Sequence, residues 1–172
     1  KGIVKVYKTG IDGKEQIIRF AKSGEIIAYR SLLSQELACT AAKVIDEAVL
    51  CHVPYQTLLF LIESNWQFSH HMLQIVCGEL REANDYITDI AQKTVRERLA
   101  EVLLLLKDNF DLDNQNTLQI SLTREELANM VGTATESVIR LLSEFKQDKL
   151  IELQGRKIKF LDIPSLRRVA NL

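Results

Sequence analysis

The spacing of apolar and polar positions changes character several times along the chain. Residues 1–60 read as β, with a period of two in the expected strands. Gly2-Ile3-Val4-Lys5-Val6-Tyr7 alternates, Ile11-Asp12-Gly13-Lys14 carries an Asp-Gly turn signal, and Glu15-Gln16-Ile17-Ile18-Arg19-Phe20 returns. Further strand-like stretches lie at Cys39–Val44 and Ala48–Val53, Pro54 closes the β-rich segment, and Tyr55–Ser64 reads as a short helix. Hairpins at this spacing predict a sandwich or a rolled barrel. The chain opens at Lys1, without a Met and already within a strand pattern, so the expected β domain is incomplete at its N-terminal side.

At Trp66 the period lengthens to that of a helix, which runs to Gln92 without a proline. Leu73, Val76, Leu80, Ala83, Ile87 and Ile90 recur at alternating spacings of three and four, a heptad seam interrupted in quality only by Gly78. A long helix with so narrow a seam calls for a partner helix, so these six residues are the candidate homodimer interface. Packing of the seam on the chain's own β domain is the competing reading. A second helix is expected over Ala91–Phe110, with Val95, Leu99, Val102, Leu103 and Leu106 in the core, followed by a polar loop at Asp111–Asn116.

Residues 122–143, LTREELANMVGTATESVIRLLS, fit a helix-turn-helix. Ala128 is small where the second helix crosses the first, Gly132 supplies the positive φ of the turn, and Leu127, Val131, Val138 and Leu141 clamp the helices together. Thr123-x-x-Glu126 and Thr133-x-x-Glu136 both read as capping boxes. The second helix, expected from Ala134 to Lys149, would present Thr135, Glu136, Ser137 and Arg140 at its N-terminal end, where such helices enter the major groove. Arg140 can give two parallel hydrogen bonds to guanine, and Glu136 can accept from cytosine N4. The same two residues, four apart, can equally form a reciprocal cap and an intrahelical salt bridge with no DNA present. After the motif, Leu150–Leu153 and Ile158–Leu161 flank Gln154-Gly155-Arg156-Lys157 as a β-hairpin. It is a candidate wing, with Arg156 and Lys157 as phosphate ligands, or else a solvated charged tip. Thr123, Arg124 and Thr133 are the further phosphate candidates.

Composition narrows the partners. The chain has 172 residues, 47% of them hydrophobic, and a net charge of −1, so any attraction for DNA has to be local. From Thr117 onward nine Lys/Arg face seven Asp/Glu. That small excess makes specific contacts, rather than bulk charge, the source of affinity. Cys39, Cys51 and Cys77 form no CxxC pair, a usage that fits a reducing cytoplasm. No signal peptide or membrane-spanning apolar stretch is present. No catalytic triad, paired carboxylates, Gly-rich phosphate loop or zinc spacing stands in the sequence, so no enzyme activity and no metal are expected. His70 and His71 diverge around a helix and make a poor metal pair, and a haem ligand among His52, His70 and His71 is the remote alternative.

The order of β-roll, long helix and winged helix-turn-helix resembles the Crp–Fnr family of bacterial transcription regulators. The most specific stretch is LTREELANMVGTATESVIRLLSEFKQDKLIELQGRKIKF, and Val95-Arg96-Glu97-Arg98-Leu99-Ala100 resembles the family's helix leading into the DNA head. The resemblance implies an α+β fold in three parts. Residues 1–65 would be an incomplete cyclic-nucleotide-binding-like sensor domain, 66–92 the dimerisation helix, and 93–172 the winged helix-turn-helix. It also implies that Glu136 and Arg140 read a palindromic TGA-core site in double-stranded DNA, that the protein is a homodimer, and that RNA polymerase is a partner. Cyclic-AMP-responsive members carry an Arg where Thr135 stands, so the outer half-site base should differ, resembling a TTGA type.

The sensor region departs from the family pattern. Gly24-Glu25-Ile26-Ile27 matches the start of the phosphate-binding cassette, but Ala28 and Tyr29 stand for its Gly and Glu, and Cys39-Thr40 for its Arg-Ser. These six positions, Gly24, Glu25, Ala28, Tyr29, Cys39 and Thr40, mark the expected effector pocket. Cyclic AMP is not expected there, because its phosphate would lack a guanidinium fork. The cysteine cluster of the iron–sulfur members is also absent from this sequence, so no cofactor is identified. The function expected is therefore a homodimeric DNA-binding regulator controlled by an unidentified effector. The alternative is an interaction protein of the same fold that no longer binds DNA.

Overall fold

The computed structural model describes residues 1–45 and 47–172, which divide into two compact units, Lys1–Thr88 and Asp89–Leu172. In the first unit, alternation produces the hairpin it predicts. Strands β1 (Val4–Thr9) and β2 (Glu15–Ala21) pair antiparallel from Val4↔Ala21 to Thr9↔Glu15, with a bulge between Val6 and Tyr7. Strand β3 (Ala41–Val44) joins the other side of β1, giving the order β2-β1-β3. The turn closes through the Gly10 N–H donating to the Lys14 carbonyl at 2.8 Å, with Gly13 at φ +75 supplying the left-handed residue. Val4, Val6 and Ala21 form a small core with Ile27 and Ala48.

Two expectations for this segment need correcting. Ala48–Val53 is not a strand: among the described residues its backbone hydrogen-bonds to Lys1 through Val49 (2.9 and 3.2 Å), and no ladder follows. Between β2 and β3 the chain instead forms an unanticipated short helix, α1 (Tyr29–Ser34), bounded by left-handed Ala28 (φ 63) and Gln35 (φ 57). Helices α2 (Tyr55–Ser64) and α3 (Trp66–Gln92) follow at their expected limits. Between them extended Asn65 accepts a 3.0 Å hydrogen bond from the Phe68 N–H and so opens α3.

In the second unit, α4 (Val95–Phe110) begins later than the expected Ala91. Thr94 terminates the run: its hydroxyl accepts from the Glu97 N–H, and the Glu97 carboxylate accepts from the Thr94 N–H at 2.6 Å. That is a complete capping box. Just before it, the Lys93 ammonium bridges Asp89 (2.9 Å) and Glu101 (2.7 Å). Burial acts to lower its pKa, but these two carboxylates prevail and raise it.

Helices α5 (Arg124–Val131) and α6 (Thr135–Gln147) then pack on α4 around Leu99, Leu103, Leu127, Val138 and Phe145, all essentially inaccessible. Val95 and Val102, expected in that core, are only half-buried, and Ala100 and Leu104 are buried instead. Strands β4 (Ile151–Gln154) and β5 (Lys157–Phe160) form the hairpin, with Ile158 and Phe160 facing inward. The segment before α5 lies along β5, the Leu118 N–H donating to the Ile158 carbonyl and the Phe160 N–H to the Asn116 carbonyl, both at 2.9 Å. A final helix, α7 (Ile163–Val169), starts at Asp162, which accepts from the Ser165 N–H at 2.9 Å. The fold is α+β. No helix among the described residues is long and apolar enough to cross a membrane.

Candidate nucleic-acid interface

The turn between α5 and α6 is built as the sequence requires. Gly132 sits at φ 71, ψ 51, and its N–H and that of Thr133 both donate to the Ala128 carbonyl, at 2.9 and 3.1 Å. This Schellman-type closure needs a residue free of Cβ strain at Gly132. Ala128 is buried beneath the crossing, where a larger side chain would separate the helices.

The expected capping box at Thr133 does not form. Because the Thr133 N–H already closes α5, helix geometry restarts one residue later, and Ala134 occupies the N-cap with no side-chain hydrogen bond. Glu136 is therefore not engaged as a reciprocal cap, and it makes no hydrogen bond or ion pair among the described residues.

Helix α6 has two sharply different faces. Val138, Leu141, Leu142 and Phe145 are buried, while Glu136, Ile139, Arg140 and Ser143 are exposed; Thr135 and Ser137 lie half-buried at the boundary. Arg140 is 68% exposed and pairs at 2.8 Å with Glu144, one turn on, rather than with Glu136. The second oxygen of Glu144 accepts from Arg96 of α4 at 2.8 Å. Arg96 also reaches Asp148 at 2.7 Å and lies 4.8 Å from the Phe145 ring centroid. Ile139 and Glu144 are not among the residues expected from the sequence, and Arg96 is expected only as part of the helix leading into this domain. The i,i+4 spacing of Arg140 and Glu144 was visible, whereas Arg96 is 48 residues from Glu144 and its contact is tertiary.

The hairpin tip is a two-residue loop, Gly155-Arg156, between paired Gln154 and Lys157, with Gly155 at φ +60. Arg156 and Lys157 are both exposed there. Arg124 ties this tip to the start of α5 by donating to the Gly155 carbonyl at 2.7 Å, and burial lowers its pKa. Thr123 is engaged in the α5 capping box, its N–H donating to Glu126 at 2.9 Å, and Thr133 is half-buried.

In the first unit, Leu73, Val76, Leu80, Ala83 and Ile87 of α3 are exposed, Leu80 by 61% and Ile87 by 65%. Ile90, in the last turn of the helix and within the second unit, is also exposed. A different face of α3, carrying buried Met72 and half-buried Ile75 and Glu79, is covered. Ala28, Tyr29, Cys39 and Thr40 come together around a cavity of about 40 Å³, whereas Gly24 and Glu25 lie outside its lining. Arg19, Arg30 and Glu79 also line it, and none of the three was singled out from the sequence. His70 and His71 are exposed, as are all three cysteines.

Comparison with known proteins matches residues 97–169 to the Crp-like helix-turn-helix domain and residues 1–65 to the cyclic nucleotide-binding domain. The chain is 26% identical over 163 residues, 94% of its length, to the transcriptional activator protein Anr of Pseudomonas protegens. It is 24% identical over 171 residues, 98% of its length, to the fumarate and nitrate reduction regulatory protein of Escherichia coli, of which it covers 68%. It spans 66% of the length of Anr, just under two thirds. Among solved structures, a CRP-family transcriptional regulator from Thermus thermophilus superposes with a TM-score of 0.82 at 23% identity, covering 100% of this chain and 85% of that one. This last likeness is one of fold. With a cyclic nucleotide-binding-type domain ahead of a Crp-like helix-turn-helix domain, the chain belongs to the Crp/Fnr family of transcription regulators.

Proposed function

We propose that the protein is a homodimeric, sequence-specific DNA-binding transcription regulator that works in the bacterial cytoplasm. It reads a palindromic TGA-core site with α6, and RNA polymerase is its further partner. The division of labour follows the chain. Residues 1–65 form the sensor domain through which an effector acts, 66–92 the dimerisation helix, and 93–172 the reading head. Thr135, Glu136, Ser137 and Arg140 contact base edges, and Arg156 and Lys157 contact backbone phosphates. Thr123, Arg124 and Thr133 are further phosphate contacts.

The observation that carries this reading is the pair Glu136 and Arg140, exposed on one face of a helix whose opposite face is fully buried. A helix held so rigidly from behind presents its polar residues at fixed positions, which base reading requires. Gel retardation on duplexes bearing an inverted TGA repeat tests it. The native chain should shift the palindrome in preference to a scrambled duplex. Arg140→Ala should weaken that binding roughly 5- to 150-fold, the equivalent of about 1–3 kcal/mol for a lost bidentate guanine contact. Absence of retardation by the native chain even at low salt would leave an interaction protein of the same fold as the better reading.

A further inference from the structure

The cavity in the first unit presents a binding site whose cations come from outside the phosphate-binding pattern. The positions that stand for that pattern's Arg-Ser pair are Cys39 and Thr40, and they bring no cation. Two guanidiniums arrive instead from elsewhere: Arg19 from β2 and Arg30 from α1. Between them stands Glu79 of α3. Its Oε1 lies 3.3 Å from Arg19 Nε, and its Oε2 lies 3.7 Å from Arg30 Nε. The carboxylate thus divides its two oxygens between the two cations, and its side chain is only 19% exposed.

The rest of the site is built around that anion. Arg19 is fixed by a 3.0 Å bond to Glu25 and by donation to the Ile26 carbonyl at 2.7 Å. The guanidinium is therefore oriented by the turn before α1 as well as by Glu79. Tyr29 is buried, and its hydroxyl has no hydrogen-bond partner among the described residues. Burial, with the neighbouring Glu79 carboxylate adding to it, pushes the phenol pKa up to about 12. The free space of about 40 Å³ is large enough for water but falls well short of the roughly 300 Å³ at which small-molecule pockets begin.

We propose that Arg19, Arg30 and Tyr29 form a carboxylate-binding site whose ligand is this chain's own Glu79, delivered by α3. Together with Glu25, which already pairs with Arg19, the internal carboxylate balances the two guanidiniums, and it anchors α3 to β2 and α1 within the first unit. An anionic effector acting through this cavity has to displace Glu79, and so has to loosen α3 from that anchor.

Chemical rescue tests the site without reference to DNA, so its outcome is separate from the regulator reading. Glu79→Ala deletes a fragment the size of acetate. The variant should melt about 3 °C or more below the native chain. Added acetate should recover most of that loss, whereas acetamide, or chloride at the same ionic strength, should not. The native chain should gain nothing from acetate, because its site is filled. Glu79→Gln, which keeps the volume and removes the charge, should be destabilised and refractory to acetate. Equal stability of Glu79→Gln and the native chain overturns the proposal, as does rescue of Glu79→Ala by acetamide as effective as by acetate. Should Glu79→Ala fail to fold without acetate, refolding in acetate supports the site, and failure in both media together with a fully stable Glu79→Gln overturns it.

Discussion

Arg140 and Glu136 leave the same face of α6, yet the free protein treats them differently. Glu136 stands unengaged among the described residues, whereas Arg140 is held at 2.8 Å by Glu144, which Arg96 holds in turn. The Arg140–Glu144 pair is solvent-exposed, so its net worth is small and it does not prevent the guanidinium from turning to a guanine edge. It does narrow the range of directions from which the guanidinium starts. The exposed cations of the hairpin have a different character. Lys157 and Arg156 lie at the tip, where they can reach phosphates but where no element fixes them against a base edge. Lys157→Ala should therefore weaken binding to the palindrome and to a scrambled duplex by the same factor, and lower the slope of log affinity against log salt by about one. Anisotropy titrations over a range of salt would measure both. A change in the preference between the two sequences would contradict a phosphate role for Lys157.

At the scale of elements, the Thr-x-x-Glu pattern shows what was legible in the sequence and what was not. Thr123-x-x-Glu126 opens α5 as read, and the same signal at Thr94-x-x-Glu97, passed over, sets the true start of α4. Thr133-x-x-Glu136 has the identical local pattern and forms no box, because its threonine is consumed by the closure of the preceding helix. Periodicity located α3 to the residue, since it is long and uninterrupted, and Pro54 marked the start of the short α2. It failed at α1 and at Ala48–Val53, where the outcome turns on left-handed residues and on whether a ladder partner exists. Glu79 was invisible for a related reason: its partner Arg19 is 60 positions away, beyond any local pattern.

The caps also make the fold acid-sensitive. The Asp162 carboxyl is held below the usual carboxylate range by the Ser165 hydroxyl first and the Ser165 N–H second, and Glu97 is held low by Thr94 in the same way. A carboxyl with a lowered folded pKa contributes stability above its ordinary value, and loses it as pH falls through the lowered one. Asp162→Ala should therefore melt below the native chain at neutral pH, with the difference closing as pH drops under about 4. A gap that stays constant from neutral pH to about pH 3 would mean that α7 does not depend on the charged cap.

At the scale of the whole molecule, the question is how a reading head of small net charge acquires useful affinity. One head offers a single recognition helix and a two-cation hairpin tip, and the chain as a whole carries −1. Two heads joined through α3 would bind two half-sites as one event, which raises affinity without adding a contact. The seam needed for that is present and uncovered: Leu73, Leu80 and Ile87 are 58, 61 and 65% exposed along one line of a 27-residue helix. Met72 and Glu79 face elsewhere, so docking of α3 on its own unit leaves the seam free. Leu80→Glu would place two like charges against each other in a parallel pair and should yield monomers by sedimentation. Operator affinity should fall on the order of a hundredfold or more, the share that comes from joining the heads. Gln74→Glu, exposed but outside the seam, serves as the control and should leave both quantities unchanged. If Leu80→Glu sediments as a dimer while binding fails, the interface lies elsewhere and the exposed seam serves another contact. If monomers form while operator affinity stays intact, one head suffices, and the palindrome is not what gives the protein its grip on DNA.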